Sequence, residues 1–321
     1  MRAQNSAIDS GTAAVPVGRG LAMAALAVVA FSLTFPATTW ALEGFGPWTV
    51  TFARTVVAAL IAACALAAAR VPPPERRHLP GLALVAAGCV LGFPLLTALA
   101  LPTSGTAHAA VVTGLLPLTT AIYATARTGA RPSPVFWAAA AAGAAAVVAF
   151  AAVDSGGSPA RGDLYLAAAL LLCAAGYAEG GRLAGRLPGW QVISWALVAS
   201  LPLALPGFTV ALLAEPPRPT ASSLAAVLWL AAGASFLSML VWYGGLARAG
   251  IARASQLQLA QPLLTLVWST ALLAEPLPAA APLTAIAVLA CIAITQRAPR
   301  HPAVSYTTPD PHATRRPAQS G

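Results

Sequence analysis

The sequence predicts an all-α polytopic membrane protein in which ten transmembrane helices form two inverted five-helix repeats. Three observations predict this fold class. Ten apolar runs follow one another along the 321 residues, each near the roughly 20 residues that an α-helix needs to cross a bilayer. Arginines concentrate in alternate connections between these runs, and a stretch of the first half recurs without gaps in the second half.

The composition excludes a soluble globular protein. Hydrophobic residues make up 58% of the chain and charged residues only 8%, whereas soluble domains carry about 25% charged residues. The net charge of +9 comes from arginines scattered between apolar runs, so no basic face for nucleic acid is predicted. The four cysteines each lie inside an apolar run without ligand spacing, which argues against a disulfide, a metal or another cofactor.

Proline, glycine and charged residues separate the ten apolar runs, as expected at helix ends. The ten predicted helices cover residues 20–42, 47–69, 79–101, 106–126, 132–152, 162–183, 190–213, 221–246, 251–274 and 277–295. Residues 1–19 are predicted to form a cytoplasmic segment, and the first run to stay uncleaved because many spans follow it. The first repeat then covers residues 20–152 and the second 162–296. Residues 297–321 are rich in Pro, Arg and Thr, which predicts a disordered cytoplasmic tail.

The arginine distribution predicts the orientation of the chain. Fifteen of the 18 arginines lie in the two terminal segments and in one alternate set of loops, whereas only Arg161 and Arg218 lie in the other set. Cytoplasmic loops of membrane proteins carry the excess of basic residues. Both termini are therefore predicted to be cytoplasmic, in a multi-pass protein of the cell (inner) membrane, and the number of spans to be even.

An internal repeat relates the two halves. A shift of 145 positions lays residues 101–123 on residues 246–268 and pairs Pro117 with Pro262. Five predicted helices lie on each side of the loop near residue 156, so the second copy inserts with the opposite orientation. In transporters built from inverted repeats, the substrate site lies near the bilayer midplane where the repeats meet, often at interrupted helices. Both prolines are predicted to lie near that depth.

One face of the ninth predicted helix carries hydrogen-bonding side chains at steps of three and four residues. These are Ser255, Gln258, Thr265 and Ser269, and Pro262 lies on the same face. The first half repeats the pattern in weaker form at Thr106, Thr113, Pro117 and Thr120. A polar stripe beside a helix-breaking proline is unfavourable in lipid. The fourth and ninth helices are therefore predicted to line a cavity.

Two further helices present a polar or aromatic face. Ser32, Pro36 and Thr39 share a face of the first helix, and Ser238 and Trp242 share a face of the eighth. Aromatic side chains suit organic solutes, although Trp242 also fits an interfacial anchor. The candidate cavity residues are Ser32, Pro36, Thr39, Thr113, Pro117, Thr120, Ser238, Trp242, Ser255, Gln258, Pro262 and Thr265.

Arg54 is the intramembrane charge of the sequence. It lies inside the second predicted helix, where a charge costs about 2.5–3.5 kcal/mol on insertion scales. Three interpretations stay open: a clamp on backbone carbonyls, a side chain that snorkels to the interface, and a direct contact to a solute. For Gln258, a hydrogen bond between helices and a position in the cavity are equally open.

Other titratable side chains are expected near the membrane surfaces. His108 lies close to the outer end of the fourth helix and is expected to be solvated. Glu179 and Arg182 on the sixth helix have the spacing of a surface ion pair. No acidic residue is predicted at the midplane, so the usual carboxylate proton relay is not predicted.

A family resemblance rests on three features. They are the second-half run WYGGLARAGIARASQLQLAQPLLTLVWSTALLAEPL, its first-half counterpart ALALPTSGTAHAAVVTGLLPLTTAIYA, and Arg54 early in the second helix. With ten spans as five plus five, most of residues 20–296 resembles the EamA-type branch of the drug/metabolite transporter superfamily. The resemblance implies a basket of helices around a central cavity, with the fifth and tenth at the periphery. It also implies transport, mostly export, of small metabolites, amino acids or toxic compounds.

One position departs from that family pattern. Glu275 and Pro276 match the family's acidic residue after the ninth helix, but the segment ARTGARPSP after the fourth has no acid.

The leading hypothesis is a permease, more an exporter than an importer, that moves a small organic solute through the bilayer by alternating access. The uncharged polar stripes favour a neutral, zwitterionic or amphiphilic solute over a polyanion. A membrane-embedded enzyme lacks a credible acid, base or metal cluster within the spans. A scaffold or sensor subunit without transport stays an alternative, and the sequence leaves the oligomeric state, a homodimer included, open.

Overall fold

Helices dominate the computed structural model, which describes residues 17–128, 131–154, 160–249, 257–297 and 300–301. Over these residues the predicted all-α class is confirmed, and the remaining regular structure is a two-residue antiparallel pair. Seven helices in this part of the chain are long and apolar enough to cross a membrane, and Ala280–Thr295 forms a shorter apolar helix. The chain is therefore a multi-pass membrane protein. Residues 1–16 of the predicted N-terminal segment and nearly all of the predicted tail lie outside the described residues, and α1 begins at Val17, three residues before the predicted start.

Over its described residues, the first half contains seven α-helices and one strand. They are α1 (Val17–Ser32), α2 (Thr34–Leu42), α3 (Pro47–Ala68), α4 (Leu79–Val85), α5 (Phe93–Thr113), α6 (Leu116–Thr128), β1 (Arg131–Pro132) and α7 (Pro134–Asp154). The predicted third and fourth helices run together in one apolar stretch, Arg76–Thr113. Inside it Gly105 has φ 72° and ψ 165°, a conformation that glycine adopts without steric cost, so the helix is interrupted there.

In the part of the second half that the structure describes there are six α-helices and the partner strand. They are α8 (Arg161–Ala184), α9 (Gly189–Ala214), α10 (Ala221–Leu228), α11 (Ser238–Ala249), α12 (Gln261–Leu273), α13 (Ala280–Arg297) and β2 (Arg300–His301). A short 3₁₀ turn, Gln258–Ala260, precedes α12. The predicted start of the ninth helix, residues 251–256, lies outside the described part of the chain.

The first predicted helix breaks between α1 and α2 because of Pro36. Proline has no backbone N–H, so the carbonyl four residues earlier loses its helical partner. That carbonyl belongs to Ser32, and it accepts from the Thr265 hydroxyl on α12 at 3.0 Å, a donor that it shares with the Gln261 carbonyl at the same distance. A side chain of the second half thus supplies a hydrogen-bond partner for the carbonyl that the break in the first half leaves free.

Two π-helical turns interrupt corresponding helices. The first π turn, Ala86–Gly92, joins α4 to α5, and the second, Trp229–Leu237, joins α10 to α11. The 145-residue shift moves Gly92 onto Leu237, so both turns end at the same position of the repeat. A π turn inserts one extra residue and often marks a functional position in a helix.

Helix packing follows the repeat. The most extensive contacts join helices of opposite halves: α1 with α11, α3 with α9, α5 with α8, and α7 with α13. The 145-residue shift carries α1 onto α8 and α5 onto α11, so the contact of α1 with α11 is equivalent to the contact of α8 with α5. Both large apolar cores cross the boundary: one contains Ala58 and Val192, the other Leu118 and Val288. The halves therefore share their buried interior.

Candidate functional site

A cavity lies between the two halves. Its two adjoining parts have empty volumes of about 1000 Å³ and about 1040 Å³, which include space open to solvent. Residues of both halves line both parts: Phe35, Phe93, Thr113 and Leu116 from the first half, and Tyr177, Gln261 and Thr265 from the second. The walls combine aromatic rings with uncharged polar side chains.

Six of the twelve candidate cavity residues meet at this cavity. They are Thr113, Pro117, Thr120, Gln258, Pro262 and Thr265. The polar stripe of the ninth helix and its first-half counterpart thus face the same cavity, where the internal repeat places Pro262 and Pro117. Ser255, a seventh candidate, lies outside the described residues.

The structure places the first-helix candidates in contacts between helices and not on the cavity wall. Ser32 is fully buried, and its hydroxyl accepts a hydrogen bond of 2.8 Å from the Trp268 indole. Pro36 is buried at the break described above. The hydroxyls of Thr39 and Thr106 lie 3.1 Å apart. The same helix instead presents Phe31, Thr34 and Phe35 to the cavity.

Ser238 and Trp242 on α11 also lie away from the cavity wall. The Ser238 hydroxyl donates to the Gly233 carbonyl at 2.7 Å. The Trp242 side chain is 8% exposed and packs edge-on against Phe31 at 6.3 Å, so it is not an interfacial anchor. From this helix and the second π turn, Ser235 and Met239 reach the cavity instead.

Arg54 lies in the cavity wall. Its residue exposure is 8%, and its Nη2 donates to the Ser235 hydroxyl at 2.9 Å. The Ser235 hydroxyl donates a hydrogen bond to the Leu230 carbonyl of the second π turn at 2.8 Å, which leaves its oxygen lone pairs to accept from Arg54. The ion pairs of the described residues do not include Arg54.

Several lining residues were not predicted from the sequence. Thr34, Thr55, Thr97, Tyr177 and Gln261 contribute polar atoms to the wall. The hydroxyls of Thr55 and Thr97 donate to carbonyls of their own helices at 2.8 Å. Such bonds are common for threonine in any apolar helix, so the sequence signal did not separate these residues from structural ones.

Glu275 joins the two halves at one end of the cavity helices. Its carboxylate accepts from the backbone N–H of Thr106 at 3.0 Å and of Ala107 at 3.2 Å. These amides are unpaired within the helix because the chain breaks at Gly105, and a carboxylate at a helix N-terminus is favoured by both hydrogen bonding and the helix dipole. The residue matched to the family pattern therefore holds α5 to the end of α12.

Glu215 repeats this arrangement at α3. Its carboxylate accepts from the backbone N–H of Thr49 at 2.9 Å and from the Thr49 hydroxyl at 3.0 Å. In both cases an acid that follows a helix of the second half caps a helix start in the first half.

Two expectations about titratable side chains are wrong. His108 is only 3% exposed, and its ring nitrogens lie 2.6 Å from an Asp154 oxygen and 2.7 Å from an Asp163 oxygen. A solvated position was expected because His108 lies close to the outer end of the fourth predicted helix, but Asp154 of α7 and Asp163 of α8 cover the ring there. The predicted ion pair of Glu179 with Arg182 is present at 2.6 Å, but Glu179 is 4% exposed and also pairs with Arg127 of α6, so its expected surface position is wrong. That carboxylate is buried between α6 and α8.

Comparison with known proteins gives consistent matches. The profile of the EamA-like transporter family matches residues 18–152 and again residues 160–296. The uncharacterized transporter YdeK of Bacillus subtilis (strain 168) is 45% identical over 276 residues, which cover 85% of this chain and 95% of that protein. A solved crystal structure, 19% identical, superposes with a TM-score of 0.61 over 87% of this chain and 98% of its own. At that identity the superposition concerns the fold alone.

Proposed function

Because the chain belongs to the EamA-like transporter family of the drug/metabolite transporter superfamily, we propose that it is a permease that exports a small organic solute across the cell membrane. The observation that carries this proposal is the polar and aromatic cavity between the halves, lined by residues of both repeats. Transporters with internal repeats bind their substrates at such an interface.

The proposed architecture has ten spans in two inverted repeats, over residues 20–152 and 162–296. In this architecture, Gly105 separates the third span from the fourth within the continuous apolar stretch. The recurrence of the π turns supports it, and so does the equivalence of the α1–α11 and α8–α5 contacts. The arginine-rich loops and both termini face the cytoplasm in this proposal.

The proposed mechanism is alternating access around the cavity. The Glu275 carboxylate joins α12 to the start of the second segment of α5 at the outer side. Toward the other side, the second part of the cavity is lined by Pro117 and Thr120 of the first half and by Gln258 and Pro262 of the second half. This arrangement supports a state that is closed outside and open to the cytoplasm, from which an exporter loads. Release would then require the Glu275 contacts to separate.

Reconstitution of the full chain in proteoliposomes tests the transport function. Radiolabelled amino acids, organic acids, amines and neutral metabolites are supplied as a panel, and saturable counterflow of at least one is expected. Liposomes without protein give the passive leak for each compound. Flux that never exceeds this leak across the panel would contradict the permease proposal and would favour a scaffold or sensor role.

A further inference from the structure

The central cavity contains a single charged side chain among the described residues that line it. That side chain is Arg54, and the lining includes no Asp or Glu. A buried cation without a counter-ion is costly inside a membrane protein, and such residues commonly face a ligand pathway. The cavity therefore carries one positive charge, which an anionic group of a bound solute would neutralise.

The guanidinium is positioned to bind a second group. It carries five N–H donors, and the described hydrogen bond uses one of them, to the Ser235 hydroxyl at 2.9 Å. Ser235 is itself fixed by its bond to Leu230 in the second π turn, so one edge of the planar group is held. A guanidinium held on one edge presents its other donors as a fork, which matches the two oxygens of a carboxylate.

The rest of the wall suits an apolar body. Phe31, Phe35, Phe93 and Met239 line the same part of the cavity as Arg54. No described lining residue is acidic, so a solute ammonium group would have no counter-ion there. A dianion such as a phosphate monoester would keep one uncompensated negative charge in a desolvated space.

We propose that the cavity takes a small organic monocarboxylate, with its carboxylate on Arg54 and its apolar body against the phenylalanine side chains. This assignment rests on the proposed transport function and specifies its substrate class. Arg54 is then a solute-binding residue and Ser235 its positioning residue.

A matched series of aromatic probes tests this assignment on the purified full chain in detergent. The probes share a phenyl body: phenylacetate, phenylacetamide, phenylalanine, phenethylamine and phenyl phosphate. Isothermal titration calorimetry is expected to give phenylacetate an affinity at least about tenfold above each of the others, a difference of about 1.4 kcal/mol.

Variants identify the residue responsible. Arg54→Gln is expected to lower phenylacetate affinity about tenfold or more while phenylacetamide affinity changes less than about twofold. Arg54→Lys keeps the charge but loses the fork, so it should retain part of the preference, and Ser235→Ala should cause an intermediate loss. Arg248→Gln is the matched control, because Arg248 is exposed and bonds its own helix. Size-exclusion chromatography checks that each variant remains folded.

The outcomes separate the binding site from the transport function. Phenylacetate binding that survives Arg54→Gln, equal binding of phenethylamine, or binding of no probe overturns the monocarboxylate assignment, even if another solute shows flux. Binding that depends on Arg54 without counterflow in proteoliposomes would uphold the site and overturn the transport function.

Discussion

At the scale of single residues, Pro36 links the shape of one helix to the contact between the halves. Its missing N–H leaves the Ser32 carbonyl to accept from Thr265 on α12. Within an apolar interior, an unpaired carbonyl is more costly than the net gain from an ordinary hydrogen bond. The hydrogen bond between Thr265 and the Ser32 carbonyl therefore links the position of α12 to the break in the first helix.

Thr265→Val tests this dependence. The substitution keeps the side-chain volume but removes the hydroxyl, so we expect a loss of about 1–3 kcal/mol in the free energy of unfolding. Thr270→Val is the matched control, because that hydroxyl is exposed and bonds its own helix. Unfolding of both variants in detergent is followed by circular dichroism. Equal stability of the two variants would show that the Ser32 carbonyl needs no partner from α12.

Glu275 is the second residue with a testable role. Glu275→Gln removes the charge from the cap of Thr106 and Ala107, and charge-assisted hydrogen bonds are worth about 1.5–3 kcal/mol. We expect faster hydrogen exchange at these two amides, measured by mass spectrometry of the peptide that spans them. Glu43→Gln, at an exposed position, should leave that peptide unchanged. Unaltered protection in Glu275→Gln would exclude the cap as a link between the halves.

Sequence reasoning reached part of the site and missed part for a physical reason. The periodicity of the ninth helix predicts a polar face, and Gln258 and Thr265 on that face do lie at the cavity. Ser32 has an equally polar neighbourhood in sequence, but its hydroxyl is satisfied by Trp268. Periodicity identifies which side chains share a face, whereas the neighbouring helix decides whether that face is filled or left open. Tyr177 was missed for the same reason.

At the scale of helices, the two π turns place functional groups that regular helices would place elsewhere. The second turn exposes the Leu230 and Gly233 carbonyls, and Ser235 and Ser238 satisfy them. In the first turn, a Cβ on Gly88 would overlap the Leu172 carbonyl of α8. The backbone of this turn therefore packs directly against the backbone of α8 at Gly88. Hydropathy does not reveal a single turn with one extra residue, so the turns themselves were not predictable.

Gly88→Ala tests the packing at the first π turn. The added Cβ meets backbone atoms of α8, which cannot rotate away, so we expect a destabilisation of about 1–3 kcal/mol from overpacking. Gly181→Ala is the control, because a Cβ there meets nothing within 4 Å and alanine favours the helix by up to about 1 kcal/mol. Thermal unfolding in detergent should order the proteins as Gly181→Ala, unsubstituted chain and Gly88→Ala, from most to least stable. The reverse order would mean that α8 is not in close contact at Gly88.

At the scale of the whole molecule, the halves are joined by contacts that obey the internal repeat. The fold class and the approximate positions of the helices followed from hydropathy and proline placement, because bilayer thickness restricts helix length. The pairing of helices did not follow, since lipid and helix surfaces are similarly apolar and the sequence pattern does not select a neighbour. The cap by Glu275 is a contact of this kind, between residues about 169 positions apart.

Thiol accessibility tests the proposed orientation of the cavity. In a chain whose four cysteines are replaced by serine, Gln258→Cys is expected to react with a membrane-impermeant maleimide from the cytoplasmic side of inside-out vesicles. In right-side-out vesicles it should react at least about tenfold more slowly. Glu43→Cys, on the proposed outer side, should show the opposite pattern. Equal reaction of both positions from one side would contradict the proposed opening of the cavity to the cytoplasm.

The described cavity wall includes no Asp or Glu beside Arg54, and this composition also has an electrical consequence. Suppose that the carrier exports one anion on Arg54 and returns empty. Each cycle then moves one net negative charge outward, whether the charge crosses the membrane with the loaded carrier or with the empty one. An interior-negative membrane potential contributes about 2.3 kcal/mol per 100 mV to such movement, which corresponds to roughly fortyfold accumulation outside. Potassium gradients set with valinomycin would therefore drive this export without any proton gradient.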